Sequence, residues 1–344
     1  MSEQPIIAIA TGDVAGIGPE ISMKAALDPA IRNICRPIVV CDPTIIRRHA
    51  QACGIEADIG IVQCVTQADW SAQRLNVLSC PTPEAADLDF GTNSAQSGRA
   101  ALAVCRAAIA AAAAAAVDAV VAAPQNQTSI ALAGIGFDGY PSFVARETGL
   151  APDDVYLMLC FGEFKIVHCT LHVGVREALS MITRERVGHA IRATADALRR
   201  LGIPNPKICV GGLNPHAGEG GLFGREEIEI IRPAIEAAAA AGLAVSGPFG
   251  ADTMFHRQGV DAFIVMLHDQ GHITAKLKAP NATAGLAIGS PILFSSVAHG
   301  SAHDIAGKGV ASPTAMIEAI TRLAQAGVSR SRAAASTTAP AAAE

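Results

Sequence analysis

The sequence predicts an α/β protein built on parallel sheet, in two domains or as one large α/β unit with an insertion. Short runs such as Ile6 to Ala10, Ile38 to Cys41, Asp118 to Ala123 past its leading Asp, and Ala262 to Leu267 are continuously apolar rather than alternating, as strands buried on both faces must be. Segments with helical punctuation separate them. The chain has 344 residues, more than one ordinary core holds, and half of them are apolar with only 4% aromatic. That balance comes from alanine-rich helices around aliphatic strands.

The net charge of -5 leaves no electrostatic footprint for nucleic acid or an anionic membrane. The cysteines (Cys35, Cys41, Cys53, Cys64, Cys80, Cys105, Cys160, Cys169 and Cys209) are odd in number, scattered and free of C-x-x-C spacing, so they read as reduced core thiols. The start of the chain carries no export signal, and the longest apolar segment, Ala107 to Val117, is far short of a membrane span. A cytoplasmic protein without nucleic-acid or membrane partners is expected.

Taken in order, the strand Ile6 to Ala10 runs into Thr11-Gly12-Asp13-Val14-Ala15-Gly16-Ile17-Gly18-Pro19-Glu20. This is a tight strand-to-helix turn without G-x-G-x-x-G spacing, in which Asp13 is placed to face a ligand. Ile38 to Cys41 and Ile61 to Val65 read as strands flanking a helix from Thr44 to Cys53, capped by Gly54. Gly91 to Arg99 opens an alanine-rich helix to about Ala116, and Asp118 to Ala123 is the next strand. Gly134 to Ser142 reads as a loop, and Tyr156 to Cys160 with Lys165 to Leu171 as a hairpin around Gly162. A helix from Val187 to Leu201 precedes the strand Lys207 to Gly211, and a second, Glu226 to Ala241, precedes a turn at Gly247 to Thr253. After Ala262 to Leu267 comes a polar cluster, His268, Asp269, Gln270 and His272. Leu286 to Leu293 reads as a strand pair broken at Gly289-Ser290-Pro291, and the last helix as Pro313 to about Ala326. Residues 329 to 344 read as a mobile tail.

Polar groups outside the carboxyl ends of buried parallel strands stand where α/β sheets bind ligands. His172, His216 and His268 each follow a different apolar run, and three neutral imidazoles that leave a position open suit a catalytic zinc-type site. Whether they meet is a tertiary question.

Five blocks in order, Gly12-Asp13-x-Ala15-Gly16-Ile17-Gly18-Pro19-Glu20, Leu213 to Glu219, Gly247-Pro248-x-x-Ala251-Asp252-Thr253, His268-Asp269-Gln270-Gly271 and His299-Gly300-Ser301-Ala302, resemble the 4-hydroxythreonine-4-phosphate dehydrogenase family over about residues 5 to 325. The resemblance implies two α/β/α domains of the isocitrate/isopropylmalate dehydrogenase type with a cleft between them, drawn at 1–130 plus 285–328 and at 131–284. It also implies a homodimer with shared active sites, NAD as oxidant, and a divalent metal, expected to be zinc, on His172, His216 and His268. The segment His299 to Gly309 resembles the nucleotide-binding loop of isopropylmalate dehydrogenases, which assigns NAD to Gly300, Ser301, Ala302, Asp304 and Gly307.

Departures from the family pattern bear on the substrate. Phosphate-using members normally read Gly-His-Thr-Glu where this chain has Gly139-Tyr140-Pro141-Ser142, and their Asn and Arg align with Gly285 and Phe294, while the Lys is kept as Lys276. A Phe cannot replace a charge-assisted arginine clamp on an anion. The changes, with Leu157 to Leu159, Leu222 to Gly224 and Leu277 to Asn281, are similar to the terephthalate dihydrodiol dehydrogenase branch. A carboxylated cyclic diol is therefore the expected substrate, contacted by Tyr140, Ser142, Lys276 and Phe294. Lys276, Asp252 and Asp269 are the candidates for proton transfer, charge stabilisation or support of a ligating His. A four-carbon phosphate ester is the alternative.

Overall fold

A computed structural model describes residues 4–71, 74–279 and 283–337, the side chains of 327–337 excepted. The chain forms β1 (Ile6–Ala10), α1 (Gly18–Leu27), α2 (Pro29–Ile34), β2 (Arg36–Cys41), α3 (Pro43–Ala52), β3 (Asp58–Val62), β4 (Arg74–Ser79), α4 (Ala95–Ala113), β5 (Ala119–Ala122) and α5 (Gln127–Leu132). There follow α6 (Tyr140–Glu147), β6 (Tyr156–Phe161), β7 (Phe164–His168), α7 (Val175–Met181), α8 (Arg184–Arg200), β8 (Lys207–Gly211), α9 (Arg232–Ala240), β9 (Ala244–Phe249), β10 (Ala262–Val265) and α10 (His268–Lys278). The chain closes with β11 (Ala284–Ile288), β12 (Phe294–Val297) and α11 (Thr314–Thr337). These elements divide into two compact units, residues 1–137 with 291–344, and residues 138–290. The unit changes thus fall at 137/138 and 290/291, against the expected 130/131 and 284/285.

The strands of the first unit lie in the order β3-β4-β2-β1-β5-β12, and each neighbouring pair is parallel. From β1 the chain moves out through β2, then returns to β5 on the other side of β1, so the loops after β1 and β5 part at a topological switch point. The helices start where side chains satisfy their first amides: Asp28 caps α2, Asp42 caps α3, Ser94 caps α4 and Asn126 caps α5. The apolar face of α4 is buried within this unit, through Ala101, Leu102, Cys105, Ala108 and Ile109.

The second unit is mixed, with strand order β11-β6-β7-β10-β8-β9. β11, β6 and β7 pair antiparallel, the last two as the expected hairpin, whereas β7, β10, β8 and β9 run parallel. The carboxyl ends of β7, β10 and β8 therefore lie side by side. These are the strands that lead to His172, His268 and His216.

Several expectations change. The segment read as a loop at Gly134 to Ser142 opens α6 at Tyr140, and α5, α7 and β4 are further elements that the apolar pattern did not show. The third strand ends at Val62, with a short 3-10 turn at Val65–Gln67. β9 carries the expected turn through Phe249, and the strand after Pro291 begins at Phe294. The last helix reaches Thr337, so the expected tail is helical up to that point; residues 338–344 lie outside the described residues, as do Pro280 and Asn281 of the block at Leu277 to Asn281. The largest change is at His268, where the polar cluster expected at the end of a strand forms the first turn of the helix α10.

Candidate active site

α10 begins directly after β10. The Gln270 side chain reaches back to accept from the amides of Met266 and Leu267, each at 2.9 Å, and Asp269 in the first turn with Lys276 and Lys278 in the last suits the helix dipole. A helical spacing of four puts His268, His272 and Lys276 along one face. The rings of His268 and His272 stack, with centroids 3.8 Å apart and planes 9° from parallel. β7 ends at His168, so His172 lies in the loop beyond the strand rather than at its end. Its ring centroid is 5.6 Å from that of His268.

Proton positions follow from the partners, because carbonyls and carboxylates only accept. His172 donates from Nδ1 to the Asp138 carbonyl at 3.0 Å. His268 donates from Nδ1 to Asp269 at 2.6 Å, and the Nδ1 of His216 lies 3.3 Å from Glu219. His172 and His268 thus have Nδ1 on an oxygen acceptor and Nε2 left for an ion, the arrangement that outer partners impose on ligating histidines, while His216 is within charge-pair distance of Glu219. The donor set suits a divalent metal, but the three are not gathered. His172 and His268 come together, whereas His216 is 66% exposed and turned edge-on to Phe223. Among the described residues no group of three His, Cys, Asp or Glu side chains converges closely enough to hold an ion.

The other expected site residues scatter. Asp252 is exposed, in the turn at Gly250, where an added Cβ would come within 2.7 Å of its carboxylate and 3.8 Å of the His216 Cα. Lys276 is exposed on α10. Tyr140 and Ser142 lie in the first turn of α6, and a Cβ at Gly139 would stand 3.6 Å from His172 Nδ1. Burial works against ionisation of Asp138, but the Ser142 hydroxyl and Arg146 hold its carboxyl below the usual range. A cavity of about 110 Å³ lies beside His168, His172, Ser142 and Tyr156. Its Arg186 is already engaged, donating to the Cys169 carbonyl at 2.6 Å and pairing with Asp153 at 2.8 Å. Phe294 is 1% exposed on β12 of the first unit. It is a core side chain there, and burial removes it from the set of exposed substrate contacts.

In the first unit, the segment expected to bind NAD follows β12. Ser301 accepts from the Ile17 amide through its carbonyl at 2.9 Å, and its hydroxyl lies 3.4 Å from the Asn126 amide nitrogen. His303 meets Asp13 at 2.6 Å, and Asp13 also accepts from the Ser97 hydroxyl and the Ala15 amide. Asp13 was expected to face a ligand; it is fully buried and ties the loop after β1 to the loop after β12. Ala302 sits in the left-handed region, and Asp304 is in the short turn that follows. Gly307 packs on Phe90, while a Cβ at Gly300 would meet nothing within 4 Å. Asn126, Ser97 and His303 escaped sequence reasoning because nothing local marks a residue as facing another loop.

The chain matches the family described as pyridoxal phosphate biosynthetic protein PdxA over residues 33–323. It belongs to the PdxA family. It is 42% identical over 318 residues to a 1,2-dihydroxy-3,5-cyclohexadiene-1,4-dicarboxylate dehydrogenase of Comamonas sp, covering 92% of this chain and 96% of that one. A putative D-threonate 4-phosphate dehydrogenase of Symbiobacterium thermophilum is 39% identical, covering 93% and 96%. Among solved structures, a terephthalate 1,2-cis-dihydrodiol dehydrogenase of Burkholderia xenovorans LB400 is 41% identical with a TM-score of 0.69, covering 94% of this chain and 98% of that one. The chain is a dehydrogenase-type oxidoreductase with an α/β fold. Among the described residues no helix is long and apolar enough to cross a membrane.

Proposed function

We propose that this enzyme oxidises terephthalate cis-dihydrodiol with NAD, giving protocatechuate, CO2 and NADH. The observation that carries the reading is the place of Gly139-Tyr140-Pro141-Ser142. The block that departs from the phosphate-using pattern opens α6 directly against His172. The engaged state of Arg186 agrees with it, since a guanidinium already paired with Asp153 offers little to a phosphate. The names of the relatives at 42% and 41% identity point the same way. The D-threonate 4-phosphate dehydrogenase at 39% identity keeps a second reading in view, a four-carbon phosphate ester as substrate.

His172 and His268, through Nε2, would hold a divalent ion, zinc by expectation, with His216 as the third expected ligand. Such an ion supplies Lewis acidity to the hydroxyl undergoing oxidation and to the ketone left beside the departing carboxylate. Asp269 fixes the His268 tautomer, and Lys276, two helical turns along from His268, is the cation for the developing negative charge. Gly300, Ser301, Ala302, Asp304 and Gly307 would hold NAD, which would supply the hydride acceptor. A homodimer with shared active sites is part of the proposal. Ile273 and Leu277 on α10 are 58% and 80% exposed, which leaves an apolar strip on the helix that carries His268.

The test offers the purified enzyme terephthalate dihydrodiol and 4-hydroxythreonine 4-phosphate side by side with NAD, following NADH absorbance. Turnover of the diol is expected. Turnover of the phosphate ester alone would overturn the reading of Tyr140 and Ser142.

A further inference from the structure

His272 has no role in the reading above, yet its hydrogen bonds fix it as tightly as any ligand. Its neighbour His168 is 2% exposed at the end of β7. Its Nδ1 lies 3.4 Å from the Leu157 carbonyl, an acceptor only, so Nδ1 carries the proton and Nε2 the lone pair. The Nδ1 of His272 lies 3.1 Å from that Nε2 and must be the donor. A second contact agrees, since the same Nδ1 lies 3.3 Å from the His268 carbonyl. His272 is thereby held as the Nδ1–H tautomer, with Nε2 unprotonated.

Stacking decides what that nitrogen can do. A ligated imidazole keeps the ion in its own ring plane. Two rings stacked at 3.8 Å and 9° from parallel have no shared point within bonding distance, so His272 is not a co-ligand of whatever His268 holds. A half-buried acceptor one ring's thickness from His268 is instead set for a donor group on a molecule bound there. We propose that His272 Nε2 accepts a hydrogen bond from a substrate hydroxyl, and that His168 is the positioning residue that fixes its ring and tautomer. The hydroxyl role rests on the reading of His268 as the substrate-side ligand, whereas the tautomer does not. Gly271 belongs to the device. A Cβ there would come within 2.3 Å of His168 Nε2, so the His168 ring fits only over a glycine.

Two measurements test this separately. Long-range proton–nitrogen spectra of the intact enzyme labelled with nitrogen-15 histidine should show His272 protonated at Nδ1 without any substrate. His168→Phe should weaken that preference, leaving the His268 carbonyl as the one remaining acceptor for Nδ1–H, while the enzyme remains folded, and Gly271→Ala should do the same if His168→Phe fails to fold. A His272 protonated at Nε2 in the unmodified enzyme would overturn the proposal, whatever the substrate. The second measurement is kinetic. His272→Phe preserves a stacked ring on His268 but removes the acceptor, so its metal content should be unchanged. KM for terephthalate dihydrodiol should rise about tenfold, corresponding to about 1.4 kcal/mol of lost hydrogen bonding. Loss of bound metal in this variant, or an unchanged KM, would refute the hydroxyl-binding role. Should the diol not be turned over at all, the function proposed above fails and with it the hydroxyl role, while the spectrum still decides the tautomer.

Discussion

His49 makes the stability of the first unit acid-sensitive. It is 1% exposed on the inner face of α3, and its Nε2 donates to the Val14 carbonyl at 2.8 Å. Nδ1 is therefore the lone-pair nitrogen, and it is buried without a hydrogen-bond partner. Protonation would bury a charge and an unpaired N–H together. Desolvation by burial is the main cause that pushes the pKa down to about 4 from 6.5, with nearby Arg48 adding to it and the Val14 carbonyl opposing. The sign follows from linkage. Between these values the unfolded chain binds the proton and the native one does not, so stability is complete above pH 6.5 and falls as the pH drops through that interval. At 1.36 kcal/mol for each unit the loss from this one residue is about 3 kcal/mol by about pH 4. Urea unfolding across that range should show it as a difference between the unmodified enzyme and His49→Phe. The variant carries a constant penalty from the orphaned Val14 carbonyl but lacks this part of the acid slope. Parallel pH profiles for the two proteins would refute the reasoning. The effect bears on function, because the His49 ring packs edge-on to Phe90 at 4.7 Å, and Phe90 lies beneath Gly307 in the segment assigned to NAD.

The loop itself separates folding from binding. Gly300→Val should leave the unfolding midpoint unchanged, since an added Cβ meets nothing within 4 Å, and should raise the dissociation constant for NAD by an order of magnitude; unchanged affinity in calorimetry would remove Gly300 from the site. Gly307→Ala should instead destabilise the protein by about 1–3 kcal/mol, because φ is +73° and the new methyl would stand 2.5 Å from Phe90, and urea unfolding measures it. Dialysis against a chelator should abolish turnover and zinc should restore it, while His268→Ala should lower bound metal in elemental analysis; full activity of a metal-free preparation would refute the metal reading. On dilution, activity should fall together with the dimer in light scattering, and an active monomer would refute shared sites.

Sequence by itself determined the features that depend on local pattern. Continuous apolar runs gave β1, β2, β5, β8 and β10 because a strand covered on both faces has no polar side to show, and Gly162 between apolar segments gave the β6–β7 hairpin. The blocks around Gly12, Asn214, Pro248, His268 and His299 determined the family, since a loop's conformation and chemistry are written in consecutive residues. What only the tertiary structure decided is which loops meet. β4 follows a polar stretch and interrupts its apolar residues with Arg74 and Asn76, so only its pairing with β2 and β3 makes it a strand. Asp13 is adjacent in sequence to nothing that explains it, and becomes a buried anchor through Ser97 and His303, each brought in by a different element. α10 was hidden because its first turn is polar, and helicity there depends on the Gln270 side chain reaching back to the end of β10. Once helical, His268, His272 and Lys276 share a face, and the end of β7 brings His168 against Gly271. Phe294 shows the converse: its alignment with a family substrate position was legible, but only packing could show that the side chain is enclosed in the core, because burial depends on every neighbour that surrounds a residue.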